Sequence, residues 1–345
     1  MKVHWVNTPE GNPLGNHVGY SKANTRLKKA LGDICELDEG ANVAVHFLAP
    51  LWFSPIEGKK NVLFTMFESD DEDYYLDLHE GCDLIVTPSE FCRGIFERVT
   101  DVPIEVCNLG VDPKVFKYKK RHAPNDGEKF RWLFLGAPNA RKYSILEDIH
   151  KVLFSRMPNV ELYLKTTGAD IAGGLKDIEH GHVQIEGDNE VVRSGNWVVD
   201  NRFLPTSELV ELLHNSHAFI SLHMGEGWGQ NLLEAMCTGL PAVVSDYSAT
   251  TEFANSKNSY PVPVVLEKTD VGIGKAQIDD LIQIEAARPN AYRAVDQIMS
   301  VMMDYRGALK KGKLAHRTAS SKTWKRSAFK LKSILKRLDS PRCGQ

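Results

Sequence analysis

FISLHMGEGWGQNLLEAMCTGLP, residues 219–241, is the stretch whose reading decides the fold. It opens with a short apolar run, Phe219–Leu222, that reads as a buried strand, then passes through Glu226 into a tryptophan flanked by Gly227 and Gly229. A helix opens near Gln230 and stops around Gly239 and Pro241, where glycine favours the helix end and proline cannot continue it. Strand, glycine-rich turn and helix in that order make a β/α unit of a parallel sheet, in which ligands gather outside the carboxyl ends of the strands. Gly227 and Gly229 let main chain approach a ligand closely. The first helical turn offers unpaired N–H groups, including those of Gln230 and Asn231, with the positive end of the helix dipole behind them. Such a mouth suits a diphosphate.

Two carboxylates frame it. Glu226, ahead of the helix, is placed to meet a sugar. Glu234, one turn beyond Gln230, has the position and charge to accept hydrogen bonds from vicinal ribose hydroxyls. Either alone reads equally well as a solvated loop or surface-helix residue. The pair, with two glycines between and a strand before, points to a site.

The same rhythm extends in both directions. Apolar runs at Val3–Val6, Val43–Leu48, Asn61–Met66, Cys82–Thr87 and Pro103–Leu109 read as strands, with helices at Tyr20–Leu31 and Glu90–Arg98. Residues 117–127 (KYKKRHAPNDG) lack apolar periodicity and read as a linker and hinge. The rhythm then restarts at Phe130–Leu135, Ser144–Arg156 and Val160–Lys165, crosses a long loop at Thr166–Asn196, and resumes at Trp197–Phe203, Ser207–Asn215 and Ala242–Ser245. This predicts an α/β protein of two doubly wound domains across a cleft, residues 1–120 and 121–305. A basic terminal segment, 306–345, is expected to cross back to the first domain.

Composition bounds the function. The 345 residues suffice for two domains, and a formal charge of −3 gives no global pull toward nucleic acid or anionic membrane. No apolar run reaches membrane-spanning length, and the start at Met1-Lys2-Val3 reads directly as a strand, so a cytoplasmic protein is expected, with peripheral membrane attachment as the variant. The cysteines form no CxxC pair and read as buried free thiols.

Glu226 and Glu234, with seven residues between them in EGWGQNLLEAMCTGLPAV, resemble the E-x7-E signature of retaining glycosyltransferase family 4, which has the GT-B fold. Thr87-Pro88-Ser89-Glu90 looks like the family's strand-to-serine stretch. Asn108-Leu109-Gly110-Val111-Asp112, with Phe116, is similar to its N-G-V-D-x-x-F end to the first domain. Phe203-Leu204-Pro205, Glu208-Leu209 and Ser221 fall in the family's order. The resemblance implies a nucleotide-sugar donor between two Rossmann-like domains, retention of anomeric configuration, and an acceptor left open among saccharide, lipid and modified DNA base.

A bridging diphosphate needs cations as well as amides. Arg141 and Lys142 follow the strand ending at Leu135-Gly136. Family members commonly place arginine after that glycine and a Lys-Gly pair later; here those positions hold Ala137 and Lys142-Tyr143, so Arg141 is a candidate for the missing guanidinium. Lys165, ending the next strand, is a weaker one. In the first domain, Gly19 is expected to let main chain line the donor, and the resemblance implies that Glu68 stands beside the transferred sugar, with His46 as alternative occupant. His17 is an acceptor-side candidate that reads as readily as an exposed imidazole. No D-x-D motif has a metal-binding context, and Glu179-His180-Gly181-His182 lacks further ligands, so no metal or cofactor is expected. An epimerase or a silent nucleotide-sugar-binding protein are the competing readings.

From Tyr305 to Leu338 there is no Asp or Glu and many Lys and Arg. The segment reads as terminal helices with a buried apolar side and a solvated basic side, or as a surface for an anionic partner, a lipid surface or DNA. The oligomeric state is not legible.

Overall fold

The computed structural model describes residues 1–6, 18–66, 81–136, 140–166, 184–186, 191–271 and 282–340. Glu68, His17 and the 179–182 cluster lie outside them. β1 (Lys2–Val6), β2 (Glu36–Leu37), β3 (Val43–Phe47), β4 (Lys60–Phe64), β5 (Leu84–Thr87) and β6 (Ile104–Val106) form the first sheet, ordered β2-β1-β3-β4-β5-β6 with every pair parallel. The second contains β7 (Phe130–Leu135), β8 (Val160–Lys165), β9 (Gln184–Glu186), β10 (Val191–Ser194), β11 (Trp197–Asp200), β12 (Ala218–Ser221), β13 (Ala242–Ser245) and β14 (Tyr260–Val262). Its order is β14-β13-β12-β7-β8-β11-β10-β9, parallel up to β11 and antiparallel at the edge. Central strands such as β3 and β8 are buried along their whole length, as expected where helices cover both faces of a parallel sheet.

The helices place the crevice. α1 (Val18–Gly32) leaves β1, and α2 (Glu90–Val99) leaves β5; α3 (Ala140–Val152) leaves β7. α4 (Thr206–His214) precedes β12, and α5 (Gln230–Cys237) leaves it. Strand order in the second sheet reverses between β7 and β12, so the N-termini of α3 and α5 flank the switch point, where doubly wound sheets bind ligands. Residues 140–142 open α3, which sets Arg141 and Lys142 in its first turn.

After β14 comes an antiparallel ribbon of β15 (Val264–Val271) and β16 (Ile282–Pro289), then α6 (Ala291–Met303), α7 (Tyr305–Ser320) and α8 (Trp324–Asp339). α7 packs on α5 of the second unit; α8 packs on α1 of the first. The return of the chain to the first unit is therefore made by α8. The crossing is a tight fit: Val111 N–H donates to Lys322 O at 2.8 Å, and Lys60 Nζ donates to Leu338 O at 2.7 Å. The linker is fastened as well. The buried Arg121 guanidinium donates to the carbonyls of Ser216 (3.2 Å), Leu213 (2.9 Å) and Thr238 (2.7 Å). Burial lowers its pKa to about 10, against the opposing influence of Tyr305 and Tyr118. Cys35, Cys82, Cys92, Cys107 and Cys237 are buried free thiols.

Gly110 lies at the crossing, where a Cβ would come within 2.2 Å of Trp324 N and 2.4 Å of Thr323 C. Neither backbone atom can yield cheaply. Gly110→Ala is expected to cost about 3 kcal/mol, the upper range for overpacking, read as a lower urea midpoint with faster trypsin cleavage after Lys322. An unchanged midpoint would mean that the crossing is loose.

Candidate active site

The loop between β12 and α5 is held from both units. Gly229 caps α5 with φ +87°, and a Cβ there would lie 2.6 Å from Thr250 Cγ2, so only glycine fits. Ser248, also in the left-handed region at φ 62°, accepts at Oγ from Glu226 N–H at 3.1 Å, while Glu226 O accepts from Ala249 N–H at 3.3 Å. A serine held in that conformation is a cost met by the positioning of the Glu226 loop. From the first unit, Ser89 Oγ donates to Gly227 O at 2.8 Å while accepting the Cys92 N–H that caps α2 at 3.1 Å. Glu252 Oε1 accepts from Glu90 N–H at 2.8 Å across the same junction. The Thr87–Glu90 stretch thus docks directly against the loop that carries Glu226.

Glu234 is 3% exposed. Its Oε1 accepts from Gln230 Nε2 at 3.0 Å and from Arg26 Nη1 of α1. Gln230 Nε2 also reaches Gly110 O at 3.1 Å, and Arg26 lies 5.6 Å from the Phe116 ring. Both donors converge on Oε1; among the described residues no donor bonds to Oε2. Asn231 Nδ2 donates to Leu135 O at 3.1 Å, which ties the α5 mouth to the end of β7.

Lys165 is buried at the end of β8. Its Nζ donates to Asp200 O at 3.2 Å and to the carbonyls of Thr166 and Arg202. Three N–H groups meeting three carbonyls make it a strut. Burial lowers its pKa to about 8; Asp200 opposes the shift, and Arg202 and Lys22 add to it. Lys22, one turn before Arg26, is half-buried, lies 5.8 Å from the Phe203 ring, and has its pKa lowered by burial, with Glu234 opposing. His46 is buried with Asn61 Oδ1 at 3.0 Å from Nε2 and the Phe53 ring edge-on at 5.0 Å, a packed position within the first unit.

The structure therefore brings Glu226, Gly227, Gly229, Gln230, Asn231 and Glu234 together, with Lys165 at the neighbouring strand end. Gly19 lies in the first turn of α1. Sequence reasoning missed Lys22, Arg26 and Ser248. The first two stand at i and i+4 of a helix following the first strand, a spacing that puts them on one face. Ser248 has no sequence signal. Among the described residues, no group of three His, Cys, Asp or Glu could hold a metal ion.

Two parallel doubly wound units with a glycine-opened helix mouth at their junction define the GT-B class. Residues 201–294 match the family described as glycosyl transferases group 1. A putative glycosyltransferase 48 of a Sulfolobus islandicus filamentous virus is 35% identical over 78 residues, 23% of this chain. That match spans about a quarter of the relative's length. Sucrose-phosphate synthase from Thermosynechococcus elongatus superimposes with TM-score 0.64 at 13% identity, over 96% of this chain and 82% of that one. Anabaena HepE in complex with UDP and glucose gives TM-score 0.60 at 12% identity, over 96% and 85%. At such identities the likeness is one of fold.

Arg26 and Glu234 are a pair whose carboxylate is cut off from water. Arg26→Ala leaves that charge uncompensated and is expected to destabilise by about 3 kcal/mol; adding Glu234→Gln should recover most of the loss. Independent, additive losses in the double mutant would disprove the coupling. Lys165 supplies a pH test. Its pKa is about 8 in the folded chain against 10.5 for an ordinary lysine, so the unfolded chain binds more protons between those values. Stability of the wild type relative to Lys165→Met should therefore rise with pH across that window, and a flat difference in melting temperature would contradict the burial argument.

Proposed function

We propose that the chain transfers a sugar from a nucleoside diphosphate donor to a hydroxyl acceptor, with retention of configuration and without a divalent metal. The observation that carries this reading is the α5 mouth, opened by left-handed Gly229 and flanked by Glu226 on the loop and Glu234 on the helix. Uridine is the first base to test, because Anabaena HepE is a GT-B neighbour that binds UDP.

The anomeric carbon–oxygen bond breaks with its electron pair leaving on the diphosphate, while the acceptor oxygen attacks from the same face. The acceptor's proton passes to the leaving phosphate oxygen. Negative charge grows on the diphosphate as the bond breaks, so amides at the α5 mouth, with Arg141 and Lys142 on α3, stabilise the transition state more than the ground state. Glu226 orients the sugar through its hydroxyls, and Glu68 is assigned a place beside the transferred sugar's hydroxyls. Glu234 takes the ribose hydroxyls on Oε2. Packing of the two units around the donor excludes water and limits hydrolysis. The acceptor is a saccharide, a lipid or a modified base.

An array of nucleotide sugars screened by thermal shift should single out one donor. With it, Glu226→Ala is expected to lower kcat by about a hundredfold or more, the scale of losing a positioned polar group, while Glu234→Ala mainly raises donor KM. Near-normal kinetics in both variants would remove these roles. EDTA should leave turnover intact, and an inverted anomer in an NMR time course would rule out retention. Donor consumed with no acceptor present, yielding an isomeric nucleotide sugar, would replace the transferase by an epimerase.

A further inference from the structure

The segment Tyr305–Leu338 holds twelve of the 42 Lys and Arg and none of the 45 Asp and Glu, leaving thirty cations against 45 acids elsewhere. The fold gives this segregation a shape. α7 buries Ala308, Gly312, Ala315 and Ala319, and Arg306, Lys310, Lys313 and Arg317 are exposed. At 3.6 residues per turn those four fall within an arc of about 60° on the opposite side of the helix. Among the described residues none of the four has an ion-pair partner. α8 buries Trp324, Ala328, Leu331, Ile334 and Leu335 against the first unit. Opposite them stands Phe329, 51% exposed, with Lys325, Lys330 and Lys336 exposed around it and Lys325 Nζ 5.9 Å from its ring. Leu314, 41% exposed, borders the α7 stripe in the same manner.

Lysines alone would serve any polyanion. An exposed aromatic centred among them gains nothing from a phosphate backbone but partitions into the boundary between lipid headgroups and acyl chains. We propose that the outer face of α8 seats the protein on an anionic bilayer surface. Lysines meet the headgroups, and Phe329 enters the interface. The acidic remainder of the chain is repelled from the same surface, which fixes one orientation. This inference does not rest on the transfer chemistry.

The test is co-sedimentation of the full chain with vesicles of 70% phosphatidylcholine and 30% phosphatidylglycerol, against pure phosphatidylcholine and against a 30-base-pair DNA duplex. Binding is expected only to the anionic vesicles, and should weaken as salt rises. Lys325→Glu/Lys330→Glu/Lys336→Glu should reduce it by about a hundredfold or more, and Phe329→Ala by about three- to tenfold, with melting temperature and donor-induced thermal shift unchanged. No binding to anionic vesicles at 50 mM salt would overturn the proposal. So would duplex binding tighter than vesicle binding, or vesicle binding indifferent to Phe329. Loss of the donor shift in the wild type would count against the transferase reading and leave the vesicle result standing.

Discussion

A carboxylate almost withdrawn from water must have its charge matched, and Glu234 finds that match in the other half of the molecule. Arg26 comes from α1 and Glu234 from the helix after β12, 208 residues later. Around this pair the two units close: Gln230 reaches Gly110, Ser89 reaches Gly227, and Glu90 is capped by Glu252. The elements at this junction are the ones that open the α5 mouth. Interdomain docking and the geometry of the site are thus set by the same bonds.

This coupling has a chemical consequence. Arg26 and Gln230 both donate to one carboxylate oxygen and keep the group oriented. The first unit thereby contributes to a site built on the second. Burial lowers the pKa of both Lys22 and Lys165; the Arg26 guanidinium lowers Lys22 further, and the Lys22 ammonium adds to the shift at Lys165. A positive field of this kind suits an anion that arrives with its own charge.

Much of the fold was legible because parallel strands buried on both faces are continuous apolar runs: Phe130–Leu135, Val160–Lys165 and Ala242–Ser245 appear at their expected bounds. The long loop assigned to Thr166–Asn196 instead contains β9 and β10. Its signal was the two-residue Gly195-Asn196 turn between Val191-Val192 and Trp197-Val198-Val199, a hairpin pattern masked by the glycine-rich residues before it. In the site, Glu226, Gly229 and Glu234 were readable because motif spacing and helix geometry coincide. Arg26 was not, since pairing over 208 residues has no local pattern. Ser248 was hidden because its positive φ is imposed by the loop it supports. Lys165 stood out as a strand-end cation, but only the structure shows its three N–H groups committed to carbonyls.

The central claim is that Glu234, held by Arg26, receives the ribose of a nucleoside diphosphate at the α5 mouth. Calorimetric titration of UDP and its 2′,3′-dideoxy analogue into the wild type and Glu234→Ala tests this most directly. The wild type should prefer UDP by at least about tenfold, and the variant should bind both alike, because the hydroxyls have lost their acceptor. A preference that survives in Glu234→Ala, or no preference in the wild type, would contradict the account.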